Sequence, residues 1–255
     1  MKTFKQSLLK LLANASLITL TMASASGFAA EANVAAALAH PDRPSEDATS
    51  DAARKPAQVL AFAGLNTGMH VLELEAGGGY YTEILSRAVG ASGSVILQHA
   101  PGLMGFVGDG IDIRTAGNRL PNVTVSISNF DALDVADNSI DMVTWILGPH
   151  ELGFAPDDVS LGDPVGAFRE IARVLKPGGV LLASDHLAPD GSGLEAGGTL
   201  HRIAESWVTK MATDAGLTVV GSSDLLKNPA DPLTASVFSP DIRGNTSQFI
   251  VLYRK

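Results

Sequence analysis

Val71-Leu72-Glu73-Leu74-Glu75-Ala76-Gly77-Gly78-Gly79-Tyr80-Tyr81-Thr82 runs from a short apolar segment through three consecutive glycines into a segment with helical spacing. A buried strand, a glycine turn and a helix start, in that order, are how α/β sheets hold a nucleotide-like ligand at the carboxyl ends of their strands. Glycines let the backbone approach the ligand, and the amides of the following helix offer donors. A dinucleotide fingerprint wants a further glycine three residues after Gly79, where Thr82 stands, and this weakens a nicotinamide reading. Taken alone, the turn also fits a plain strand-to-helix connection.

Working outward, the same alternation continues on both sides. Residues 51–63 read as a helix with Pro56 near its first turn and Gly64 as its stop. Residues 69–75 form the first strand, and 80–89 carry Ile84, Leu85 and Ala88 at helical spacing. Residues 94–98, 123–127 and 140–147 read as the second, third and fourth strands. An amphipathic helix over 164–175 and a Pro177-Gly178-Gly179 turn precede a fifth strand at 180–184. A long helix over 199–215 stops at Gly216, and 217–221 and 248–253 complete seven strands. Strands separated by helices mean a mostly parallel sheet covered on both faces. Residues 225–245, with Pro229, Pro232 and Pro240, are too long for a hairpin and form either a packed lid or a wrap over the sheet.

The chain has 255 residues, with 18 Lys+Arg against 27 Asp+Glu and a net charge of −9. Its basic residues are scattered, which argues against nucleic acid and against anionic membrane surfaces as partners. At 45% hydrophobic and 18% charged residues it has the composition of a globular chain with a full core. Cysteine is absent, so disulfides, thiolate nucleophiles and zinc ribbons are excluded, and a metal would need His, Asp or Glu. The first residues stand apart. Lys2, Lys5 and Lys10 precede an apolar run over 11–22 and the small-residue patterns Ala23-Ser24-Ala25 and Gly27-Phe28-Ala29. This is the pattern of a secretory signal peptide over residues 1–29, too short in its apolar run to span a bilayer. Its removal leaves residues 30–255 as one domain with an N-terminal helical extension, exported to the periplasm and without a membrane anchor.

Glu73-Leu74-Glu75-Ala76-Gly77-Gly78-Gly79, then Asp141-Met142-Val143, then Val174-Leu175-Lys176-Pro177-Gly178-Gly179-Val180 together resemble a class I S-adenosylmethionine-dependent methyltransferase over almost the whole mature chain. More narrowly, His40-Pro41-Asp42-Arg43-Pro44, Gly77-Gly78-Gly79-Tyr80-Tyr81-Thr82-Glu83, Thr199-Leu200-His201-Arg202-Ile203, Asn228-Pro229-Ala230-Asp231-Pro232 and Ile242-Arg243-Gly244-Asn245-Thr246 resemble an exported, periplasmic subgroup of predicted methyltransferases. The resemblance implies a Rossmann-like α/β fold with strand order 3-2-1-4-5-7-6, the last strand antiparallel, and S-adenosyl-L-methionine as cofactor. It assigns Glu73 to the cofactor's methionine amino group, Gly77, Gly78 and Gly79 to close approach, and Asp131 to the adenine amine.

Two departures stand out. Glu75 occupies the place of the turn's first glycine, and the second strand ends in Gln98-His99 where an acid for the ribose hydroxyls is expected. Gln98 retains an acceptor and donors for one or two such bonds. For chemistry, His150-Glu151 follows the fourth strand and Asp185-His186 the fifth, where such folds place function. His150 and His186 are therefore the expected catalytic bases, titrating at about 5.5 to 7.5 and acting on a small-molecule acceptor. Satisfied histidines bonded to nearby carboxylates are the plainer reading. His201 and Glu205, four apart, are expected on one face of the helix over 199–215. No His-x-His or His-Glu-x-x-His spacing is present, and no metal centre is expected. Two further readings stay open: a degenerate fold that binds without catalysing, and a nicotinamide-dependent oxidoreductase.

Overall fold

The computed structural model describes residues 31–255; the expected signal peptide lies outside them. One seven-stranded sheet runs in the order β3-β2-β1-β4-β5-β7-β6. Its strands are β1 (His70–Leu74), β2 (Ser94–His99), β3 (Val123–Ile127), β4 (Ile140–Ile146), β5 (Leu175–His186), β6 (Thr218–Ser223) and β7 (Gln248–Arg254). The pairs among β1 to β5 are parallel, and β7 runs antiparallel to both β5 and β6. Strand order reverses at β1, which pairs with both β2 and β4, and the crevice at such a switch point is where open α/β sheets bind ligands.

The apolar strand runs split between two cores because successive side chains point to opposite faces. Val71, Val95, Met142 and Leu182 pack on one face beneath α1 (Val34–Leu38), α4 (Pro56–Ala63) and α5 (Tyr80–Val89). Leu72, Leu74, Val143 and Leu181 pack on the other with α8 (Pro164–Val174) and α10 (Glu205–Asp214). The remaining helices are short: α2 (Ser45–Ala48), α3 (Asp51–Arg54), α6 (Met104–Val107), α7 (Gly110–Thr115) and α9 (Glu195–Leu200).

Two expected helices are each broken in two. The one over 51–63 stops at Lys55, which takes φ +45 because Pro56 disfavours helical geometry in the residue before it. Lys55 instead donates from Nζ to the Leu225 carbonyl. The one over 199–215 stops at His201 (φ +53), and Ile203 pairs with Leu187 beside β5. His201 and Glu205 are therefore not on one helix face. Segment 225–245 is a packed wrap: the Asp231 carboxylate accepts from Arg202 Nη1 at 2.9 Å and Nη2 at 3.0 Å, both side chains fully buried, and from the Ser247 amide.

Candidate active site

A cavity of about 740 Å³ opens at the carboxyl ends of β1, β4 and β5. Its floor is the turn from Glu73 to Gly78, and its far wall is His150, Glu151, His186 and His201. Helices α2 and α3 contribute Glu46, Asp47, Ser50 and Arg54, and the wrap contributes Val237 and Phe238. Gly77 takes φ +57, and a Cβ on Gly77 or Gly78 would meet nothing within 4 Å, so both glycines present bare backbone to open space. Gly79 serves a different purpose. It caps α5 at φ +78, and a Cβ there would lie 2.8 Å from Arg114 Cγ. Buried Arg114 donates to the Gly78 carbonyl, to Asp47 in α2 and to Glu83 in α5, which fixes the turn to the N-terminal extension.

Glu73 is almost fully buried and lines this cavity. Burial raises its pKa to about 7, against the opposing pull of the Thr82 hydroxyl and the His99 and Arg114 charges. A cationic group entering the cavity would hold this carboxyl ionised. Thr144, near the end of β4, is 1% exposed and lines the same cavity, and its Oγ1 is buried without a partner. Bare glycine backbone, a buried carboxyl awaiting a cation and an orphaned hydroxyl fit the methionine end of S-adenosylmethionine.

The two departures in the sequence turn out to be bonded to each other. Glu75 takes φ +49, the conformation a glycine would supply, and its Oε1 lies 2.6 Å from Nδ1 of fully buried His99. His99 Nε2 is in turn 3.0 Å from the Gly77 carbonyl, so the pair braces the glycine turn from behind. Beside it, Gln98 accepts from the Glu75 amide and donates to the Ser128 carbonyl. Gln98 is wholly buried and lies outside the cavity lining, which removes it from the ribose role the sequence suggested. Asp131 is likewise committed elsewhere: its Oδ2 accepts from the Asp163 amide at 2.7 Å, and it does not line the cavity.

The acceptor wall gathers three histidines. His150 is buried, with Nδ1 at 2.9 Å and 3.0 Å from the two Asp185 oxygens, and its amide donates to Asp185 as well. His150 Nε2 lies 3.3 Å from Glu151 Oε1 and 3.3 Å from His201 Nδ1. Burial pulls the His150 pKa down, but Asp185 and Glu151 outweigh it and raise it to about 10. His186 is the opposite case: burial pushes it down to about 4, and its Nδ1 pairs with the Thr246 hydroxyl at 2.7 Å. Neither ring titrates in the 5.5 to 7.5 window expected from sequence.

Arg114, Asp47, Thr144 and the placement of His201 escaped sequence reading. Only Asp47 and His201 stood near a noticed motif, and nothing in local spacing ties Asp47 to Arg114 across 67 residues.

Residues 72–183 match the family model described as a methyltransferase domain. Among curated proteins, the chain is 33% identical over 133 residues to a ubiquinone/menaquinone biosynthesis C-methyltransferase of Pseudoalteromonas translucida, covering 52% of this chain and 49% of that protein. The chain thus spans about half the length of the curated relatives it matches. Among solved structures, an S-adenosylmethionine-dependent methyltransferase from Aquifex aeolicus aligns with a TM-score of 0.56 at 23% identity, covering 78% of this chain and 88% of that one. A Haemonchus contortus phosphoethanolamine N-methyltransferase, solved with S-adenosyl-L-methionine bound, aligns with a TM-score of 0.53 at 17% identity, covering 68% and 38%. The cofactor expected from sequence is the one these neighbours are named for. The strand order, the glycine turn and the matched stretch agree: residues 72–183 are similar to a methyltransferase domain, set in a fold shared with S-adenosylmethionine-dependent methyltransferases.

Proposed function

We propose that the protein moves the methyl group of S-adenosyl-L-methionine to a small-molecule acceptor, and that it does so after export. The observation that carries this reading is that Glu73, Gly77 and Gly78 line one cavity together with His150, His186 and His201. Glu73, Gly77, Gly78 and Thr144 would hold the cofactor, whose sulfonium supplies an electrophilic methyl. The chain contributes proximity and alignment: one reactant lies on the turn and the other against His150, Glu151 and His186. Phe106, Phe154 and Phe238 add an apolar, aromatic lining, which suits an acceptor with a ring or hydrocarbon body. The curated relatives are named for C-methylation in quinone biosynthesis, and a ring acceptor agrees with this lining.

His150, ionised between two carboxylates, orients the acceptor wall, while neutral His186 is a weak proton acceptor at most. Export rests on the sequence of residues 1–29 alone, and N-terminal sequencing from the native host tests it: a retained Met1 on a cytoplasmic protein ends it. A non-catalytic binding protein is the second reading, favoured by Gln98 and Asp131 lying outside the cavity.

Calorimetry with S-adenosylmethionine, S-adenosylhomocysteine and NAD separates the readings. We expect the first two to bind and NAD not to. Gly77→Val should remove binding, because it places a branched side chain at φ +57 in the ligand's space. Binding of NAD alone, or equal binding by Gly77→Val, overturns the site. Tight cofactor binding with no turnover on any acceptor favours the second reading.

A further inference from the structure

The geometry points to a divalent metal site of the zinc type at the acceptor end of the cavity, with His150 Nε2, His201 Nδ1 and Glu151 as ligands. Sequence spacing gave no hint of it, because His201 lies 51 residues from His150. The three donor atoms lie within 4.8 Å of one another, and all three residues line the cavity. Two contacts set the geometry: His150 Nε2 is 3.3 Å from His201 Nδ1 and 3.3 Å from Glu151 Oε1. One N–H can satisfy only one of these well. A tetrahedral ion with ligand bonds of about 2.0–2.1 Å sets its donors roughly 3.3 Å apart, and so accounts for both.

Two further observations belong to a metal centre more than to a hydrogen-bonded histidine pair. Asp185 binds His150 Nδ1 at 2.9 Å, which holds a proton on Nδ1, so that a metal ion would displace only the Nε2 proton, and orients the ring as carboxylate–histidine–metal arrangements do. Glu151 Oε2 is buried and has no partner.

The fold is also built to bring the third ligand in. Helix α9 packs on the turn 149–153 so closely that a Cβ on Gly197 would lie 2.1 Å from the His150 carbonyl, and one on Gly153 2.0 Å from the Leu194 carbonyl. His201 follows immediately, in the left-handed conformation that turns the chain out of α9. Three protein ligands would leave a fourth position for a group from the cavity that all three residues line. Two imidazoles and a carboxylate, with no thiolate, select a first-row cation such as Zn²⁺ or Co²⁺ over Mg²⁺ or Ca²⁺. There the ion would bind water or an acceptor hydroxyl and favour its ionised form, with the proton released to solvent. That role rests on the methyltransferase reading; the site itself does not.

Protein stripped with EDTA is titrated with ZnCl₂ by calorimetry and with CoCl₂ by visible absorption. We expect one equivalent bound, with the d–d bands of tetrahedral Co²⁺. Asp185→Asn should weaken affinity 10- to 100-fold, and His201→Ala or Glu151→Gln at least as much. Circular dichroism and melting curves establish that each variant is folded, and the isosteric Glu151→Gln keeps the test open if His201→Ala is not. Gly77→Val should lose S-adenosylmethionine yet keep the metal, so failure of the cofactor site and failure of the metal site are read separately. Sub-stoichiometric binding, or binding equal in wild type and a folded ligand variant, overturns the proposal.

Discussion

Glu73 shows at one residue how function and stability oppose each other. Its folded pKa of about 7 lies above the ordinary carboxyl value of 4.5, so the folded state holds the proton more tightly than the unfolded one. The stability this contributes is complete below pH 4.5 and is lost as pH rises through 7. Glu73→Gln should therefore melt several degrees higher than wild type at pH 8, an effect of at most about 3 kcal/mol, and the two should converge near pH 4. A ligand ammonium favours the ionised carboxyl, so S-adenosylmethionine should expel up to one proton on binding at pH 6 and almost none at pH 8. Calorimetry in buffers of different ionisation enthalpy reads that proton directly. Its absence, or its persistence in Glu73→Gln, would show that Glu73 does not face the cofactor's charge. The Glu75–His99 pair makes a second residue-scale case. Removing either partner strands the other in a buried setting at a cost on the order of 1–3 kcal/mol. A double-mutant cycle with Glu75→Gln and His99→Asn should show coupling of that order, because the two departures from the family pattern act as one unit. Additive effects would mean that the brace contributes nothing.

The elements were legible where hydrophobic period and turn chemistry agree. Residues 123–127 were read from alternation and the structure has β3 at Val123–Ile127; the strand, glycine turn and helix from β1 to α5 came from an apolar run, three glycines and the spacing of Ile84, Leu85 and Ala88. Two expected helices are not continuous. The first break is local, set by Pro56 acting on Lys55, whereas in the second a long-range contact outbids local propensity, as Ile203 pairs with Leu187 beside β5. The second break is the one that creates the histidine wall, so the candidate site is legible in part, at His150 and His186, while the third histidine is expected beside Glu205 on a helix face that the break removes. The same physics hid the roles of Gln98 and Asp131, whose side chains are committed to backbone partners 30 and 32 residues away. Wrap 225–245 depends on a pair 29 residues apart in sequence. Asp231→Ala leaves the fully buried Arg202 guanidinium uncompensated, which should cost on the order of 3–5 kcal/mol and loosen the wrap first. Limited proteolysis under native conditions should then cut within 225–245 in the variant, and an intact, wild-type digestion pattern would show that other contacts hold the segment.

Across the whole molecule, the N-terminal extension is part of the cavity rather than an appendage to the matched domain. The family match starts at residue 72, yet Glu46, Asp47, Ser50 and Arg54 line the cavity ahead of it. The tie is electrostatic and buried. Arg114 holds the glycine turn through the Gly78 carbonyl while its guanidinium pairs with Asp47 at 2.8 Å and 3.1 Å. Arg43 and Tyr80 both bond Asp51, at 2.6–2.7 Å and 2.6 Å, which seats α3 on the start of α5. Upstream of that, the Ala32 amide donates to the Leu65 carbonyl and Glu31 bridges Asn66, so the extension is tied to the loop after α4. Two truncations should therefore behave oppositely. A chain of residues 30–255 should match the full-length protein in melting temperature and in S-adenosylmethionine affinity, since it is the chain that cleavage of the expected signal peptide leaves. A chain of residues 50–255 loses Asp47 and Arg43, leaves Arg114 with Glu83 as its remaining acid and opens one wall of the cavity. It should melt lower by several degrees and bind the cofactor at least tenfold more weakly, because Arg114 no longer ties the Gly78 carbonyl to Asp47 of the extension. Should the shorter chain fold and bind as tightly as the longer one, the extension would be a cover for the apolar face beneath α1 and α4 alone, and the cofactor site would reside entirely within the sheet and its turns.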